Sequence, residues 1–151
     1  MSDQSQPTVR DYMTENPTTL SPDDALLQAV LSLRSLSIRH LPIVENGKLV
    51  GLLTEGDIAR ASPSILTRTT PEEYNQVFEQ TPIRKVMIKN VTAVGPDTPL
   101  GDAVAILMEN KWSCLPVVND DAVIGILTLT DVLRYTKSTL ESSTGSITLD
   151  I

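Results

Sequence analysis

Aromatic side chains make up only 3% of this 151-residue chain, with a single tryptophan and a single phenylalanine. A core built around stacked rings is therefore excluded, and burial falls to Leu, Val, Ile and Ala within a hydrophobic fraction of 40%. One cysteine, Cys114, excludes an intramolecular disulfide and a cysteine-rich zinc cluster. One histidine, His40, leaves the usual metal-ligand sets out of reach. Positive charge is also short: 12 Lys plus Arg stand against 19 Asp plus Glu, giving a net charge of -7 and a pI near 4.6. That balance repels phosphate backbones and anionic lipid, so direct nucleic-acid and membrane-surface partners are disfavoured. No stretch of about eighteen apolar residues occurs, and Met1 to Pro7 is polar without an apolar signal core. The expectation is a soluble, unexported protein of the reducing cytoplasm. A phosphate-cradling G-x-x-x-x-G-K-S/T loop, a second histidine and an activated nucleophile are all missing, so catalysis is not expected.

What the chain does have is a copy of itself. Val9 to Arg60 aligns without a gap on Ile83 to Arg134, and about a third of the positions are identical. Matched pairs include Met13 with Met87, Asn16 with Asn90, Thr18 with Thr92, Pro42 with Pro116, Gly51 with Gly125, Thr54 with Thr128 and Asp57 with Asp131. The chain is a tandem duplication.

Each copy reads as strand, helix, strand, strand, helix, an α+β pattern. Thr18 to Leu20 forms a short strand, and Ser21, Pro22, Asp23 and Asp24 supply an N-cap, a first-turn proline and acidic residues for a helix. Leu26, Val30 and Leu33 fall at helical spacing, as do Leu100, Ala103, Val104 and Leu107 in the second copy. Leu41 to Val44 and Leu49 to Leu53 are apolar runs around Asn46-Gly47, a hairpin turn signal; the turn at Asn119 to Ala122 carries a weaker one. A second helix starts near Glu55, and its counterpart runs from about Leu129 past Tyr135. The expected organisation is repeat one at 8–62, a connecting segment at 63–82, repeat two at 83–138 and a flexible tail at 139–151. The connection holds a capped helix start, Thr70-Pro71-Glu72-Glu73, with Tyr74, Val77 and Phe78 on one face. A repeat of about fifty residues buries too little surface to be stable alone, so each copy is expected to seek its twin.

Several motifs recur twice and in order. Asn-Pro-Thr-Thr-Leu-Ser-Pro-Asp at 16 to 23, Arg-His-Leu-Pro-Ile-Val at 39 to 44 and Gly-Leu-Leu-Thr-Glu-Gly-Asp at 51 to 57 are answered by Leu-Pro-Val-Val at 115 to 118 and Gly-Ile-Leu-Thr-Leu-Thr-Asp at 125 to 131. From residue 9 to about 138 the chain resembles a tandem cystathionine beta-synthase (CBS) domain pair, or Bateman module, of the stand-alone bacterial type. The resemblance implies two β-α-β-β-α repeats packed with pseudo-twofold symmetry, a homodimer, and an adenosyl ligand such as AMP, ADP, ATP or S-adenosylmethionine held in clefts between the repeats. It implies a regulatory role with no required cofactor, and leaves room for an unidentified effector protein.

The candidate site residues carry two readings each. By spacing, Thr54 with Asp57 and Thr128 with Asp131 are capping boxes at helix starts. By resemblance, the aspartates hold ribose hydroxyls and the threonines contact ribose or phosphate; a carboxylate suits a vicinal diol because its two oxygens accept two protons. Arg39 and His40 match the family's phosphate-reaching positions, where the second copy has Ser113 and Cys114, so the two clefts are expected to be unequal. Arg60 and Arg134 are alternative phosphate donors or helix-surface ion-pair partners. Thr18, Ile38, Pro42, Thr92 and Pro116 match the base pocket, or are ordinary core; Trp112, the counterpart of Ile38, caps the core or lines the poorer cleft. Cys114 reads as a small buried hydrophobe. A structural or dimerisation module with empty clefts is the rival reading.

Overall fold

The computed structural model describes residues 6–62 and 70–143. Its elements in chain order are α1 (Val9–Tyr12), β1 (Thr14–Glu15), α2 (Leu26–Ser35), β2 (His40–Glu45), β3 (Lys48–Thr54), α3 (Glu55–Ala61), α4 (Pro71–Gln80), a single 3-10 turn (Ile83–Lys85), α5 (Leu100–Asn110), β4 (Cys114–Asn119), β5 (Ala122–Thr128) and α6 (Leu129–Ser143). Helices and strands mix within two repeats, an α+β arrangement.

The chain divides into two units. One comprises the described parts of Pro17–Thr92 with Asp120–Val123, and is called the Asp57 unit below. The other comprises the described parts of Met1–Asn16, Ala93–Asn119 and Ile124–Ile151, and is called the Asp131 unit. Each has an aliphatic core. In the Asp57 unit, Leu26, Ala29 and Leu33 of α2 recur at spacings of three and four and bury one helix face against Leu41, Ile43 and Leu53 of the hairpin. Phe78 of α4 joins that core, while Tyr74 and Val77 stay largely exposed. In the Asp131 unit, Leu100, Ala103 and Leu107 of α5 do the same against Leu115, Val117 and Leu127.

The hairpin β2–β3 is antiparallel, His40 facing Thr54 and Leu41 facing Leu53, and it reverses through Asn46 and Gly47, both at positive φ. Asp120 and Asp121 reverse the second hairpin, also at positive φ, with no glycine to ease the turn.

Two local expectations are corrected. The strand expected at Thr18 to Leu20 contracts to one parallel bridge, Leu20 with Ile43, repeated as Val94 with Val117. The helix expected to begin at Ser21 begins at Leu26 instead. Ser21 to Asp24 closes its own turn: the Ser21 N–H donates to the Asp24 carboxylate at 2.8 Å and the Asp24 N–H to the Ser21 carbonyl at 3.1 Å. Serine and aspartate prefer such local bonds to helix, and the Leu26 amide finds the Thr81 carbonyl at 2.8 Å. The expected cap on α4 is in place, Thr70 Oγ1 accepting from the Glu73 N–H. The tail expected to be flexible from 139 starts later, since α6 runs on to Ser143; residues 63–69 of the connecting segment and 144–151 of the tail lie outside the described residues.

The leading arm of each sequence repeat packs in the unit formed by the other repeat. Val9 and Arg10 donate their amides to Thr98 and Pro96 carbonyls, both at 2.9 Å. Ile83 and Arg84, their counterparts, donate to Asp24 and Pro22 at 2.9 and 2.8 Å. Beyond these bonds, β1 pairs antiparallel with β5 through Thr14 and Ile126, and Ile88 bridges Leu52 of β3. Val9 and Ile83 are fully buried. The arms also explain two glycines: a Cβ at Gly125 would stand 2.5 Å from the Met13 sulfur, and one at Gly51 at the same distance from the Met87 sulfur.

Candidate ligand-binding site

In the Asp57 unit, the end of β3 runs straight into α3, so Thr54 is both the last strand residue and the N-cap. Its Oγ1 accepts from the Asp57 N–H at 3.2 Å, and its own N–H and hydroxyl donate to Asp57 Oδ2 at 2.9 and 2.8 Å. Arg60, one turn on, donates to Asp57 Oδ1. The pairing of β2 with β3 sets His40 opposite Thr54, and the Arg39 carbonyl accepts the Glu55 N–H at 3.1 Å. Arg39, His40, Thr54 and Asp57 are thereby gathered at one end of one hairpin. Burial pushes the His40 imidazole below its ordinary range and the Arg39 charge adds to this, against a smaller opposite pull from Glu55. Arg39 is exposed and Ile38 half-buried against the core.

The Asp131 unit repeats the plan with different chemistry. Thr128 N–H and hydroxyl donate to Asp131 Oδ2 at 2.9 and 3.1 Å, Thr128 Oγ1 accepts from the Asp131 N–H at 3.3 Å, and Arg134 donates to Oδ1 at 3.0 Å. The Ser113 carbonyl accepts the Leu129 N–H at 3.1 Å, as Arg39 does for Glu55. One donor has no equivalent among the described residues of the other unit: the Thr14 hydroxyl, from β1, lies 3.2 and 3.3 Å from the two Asp131 oxygens. The residue matching Thr14 in the duplication is Ile88.

Pro42 and Pro116 are buried within β2 and β4, their carbonyls accepting from Leu20 and Val94 at 3.3 and 3.0 Å. Thr18 and Thr92 are exposed, each two residues before a bridge. Trp112 is 40% exposed just beyond α5, its amide bonded to the Leu107 carbonyl. Cys114 is buried. Among the described residues, no three His, Cys, Asp or Glu side chains are grouped to hold a metal ion. No described helix is long and apolar enough to cross a membrane.

Duplicated repeats of this topology, each ending in a capped Thr-x-x-Asp helix start, define a CBS pair. The family model for the CBS domain matches residues 9–64 and 83–138, and the chain belongs to that family. The CBS domain-containing protein YhcV of Bacillus subtilis is 30% identical over 140 residues, covering 93% of this chain and 92% of YhcV. The crystal structure of the CBS domain pair of protein MJ0100, in complex with 5'-methylthioadenosine and S-adenosyl-L-methionine, has a TM-score of 0.74 at 29% identity and covers 89% of this chain and 98% of that one. That of CBSX2 in complex with AMP has a TM-score of 0.73 at 27% identity and covers 88% and 98%. Several enzymes also match, over only 15% to 23% of their lengths.

Proposed function

We propose that this chain is a regulatory module that binds an adenosyl ligand, AMP, ADP, ATP or S-adenosylmethionine, and passes its occupancy to a partner protein. The observation that carries the reading is the gathering of Arg39, His40, Thr54 and Asp57 at one hairpin end. The Asp57 carboxylate can accept from a ribose hydroxyl, and the backbone pairing brings Arg39 and His40, residue types suited to phosphate, to the same end of the hairpin. Two similar CBS pairs hold AMP or S-adenosylmethionine, which supports the ligand class. Regulation then follows from population shift, limited by how much more tightly the ligand binds one conformation than another. The chain carries out no reaction in this reading, which its single histidine and the absence of a phosphate-cradling G-x-x-x-x-G-K-S/T motif support. It acts in the cytoplasm as a homodimer, for which Leu129, Leu133 and Leu140, exposed along α6, offer an apolar surface.

Titration with AMP, ADP, ATP and S-adenosylmethionine, followed by Trp112 fluorescence and melting temperature, tests the proposal. A saturable rise in melting temperature with any of them supports it. Flat curves with all four overturn it. They would favour the rival, a ligand-free dimerisation module, which draws on one specific observation: both aspartates already have partners in their own capping boxes.

A further inference from the structure

The two aspartates differ in how fully they are occupied. An ionised carboxylate offers about four lone-pair sites. Asp131 receives the Thr128 amide, the Thr128 hydroxyl, the Arg134 guanidinium and the Thr14 hydroxyl. Among the described residues, Asp57 receives the Thr54 amide, the Thr54 hydroxyl and Arg60. Exposure follows the same order, 1% for Asp131 and 6% for Asp57. The arginines do not separate the two sites, because both are largely exposed and reorient at little cost. The separating residue is position 14 against position 88, hydroxyl in one arm and hydrocarbon in the other.

We infer that Asp57 is the ribose-accepting carboxylate of the first binding event and that Thr14 is a positioning residue that holds Asp131 in reserve. The inference rests on the adenosyl reading above and adds an order of filling to it. A ribose hydroxyl arriving at Asp57 meets an acceptor with one site that no described residue fills; one arriving at Asp131 must displace the Thr14 hydroxyl. The residues proposed for phosphate point the same way, since Arg39 and His40 share the hairpin end with Thr54 whereas Ser113 and Cys114 take those positions before Thr128 and Asp131.

The test is calorimetry on the full chain with AMP, repeated with ADP, ATP and S-adenosylmethionine, on Asp57→Asn, Asp131→Asn, Thr14→Val, Thr14→Ser and Ile88→Thr. Asparagine still accepts from the cap amide, so both aspartate variants should fold. Expected results are loss of the tighter event in Asp57→Asn alone, a roughly tenfold gain in the weaker event in Thr14→Val, and wild-type behaviour in Thr14→Ser. Ile88→Thr should weaken the tighter event. Loss of the tighter event in Asp131→Asn, or weaker binding in Thr14→Val, overturns the inference. Without ligand, a urea-unfolding cycle of Thr14→Val and Asp131→Asn should be non-additive; additivity overturns the inference independently. If the cycle couples yet no variant binds any of these probes, the adenosyl reading fails, and the filling order falls with it.

Discussion

His40 is the only histidine, so any imidazole titration belongs to it. Burial, then Arg39, hold its folded-state pKa below the ordinary 6.5, with Glu55 opposing. The unfolded chain therefore takes up this proton first as pH falls. The stabilisation is fully present above about 6.5 and is lost as pH drops through the folded-state value. Urea midpoints measured from pH 8 to pH 5 should fall on the acid side, and His40→Gln should flatten that part of the profile. The aspartates have a structural share that a ligand role does not remove. Asp57→Ala should cost about 1 to 2 kcal/mol of unfolding free energy and Asp57→Asn less, because asparagine keeps an acceptor for the Thr54 amide. These residues were legible in the sequence because the Thr-x-x-Asp bond spans three residues and the motif occurs twice. Thr14 was not, since its bond to Asp131 crosses 117 residues. Its repeat counterpart, Ile88, also removes the symmetry that might have flagged it.

At the scale of elements, hydrophobic spacing located α2, α5, α3 and both hairpins, because those signals are local. The capping signals place the start of α2 too early, because Ser21 and Asp24 bond to each other instead of capping a helix. The packing of the arms was invisible to both kinds of signal. Val9 and Ile83 are both apolar at matched positions, and nothing in a residue's identity says which repeat's core will bury it. The glycines report on this packing. Gly125→Ala should destabilise the protein by about 1 to 3 kcal/mol through overpacking against Met13, and Met13→Ala should recover part of the loss in the double variant. Thermal or urea unfolding of the four proteins checks it. Met87→Ala should not rescue Gly125→Ala, since its sulfur abuts Gly51.

For the molecule as a whole, duplication and family were readable from the sequence, whereas the identity of the ligand was not. In the adenosyl reading, recognition by so aromatic-poor a chain falls to backbone and aliphatic contacts common to many ligands. Assembly is open to test: Leu133→Glu with Leu140→Glu should shift sedimentation from dimer to monomer while leaving the fold intact, because both side chains are more than half exposed. The traded arms have a last consequence. Cutting the chain between its two homologous halves would leave each product missing the strip that completes it and carrying one meant for its sibling. Such halves should be unfolded apart and regain structure only when mixed, so a gene encoding one copy alone would not yield a folded half of the pair.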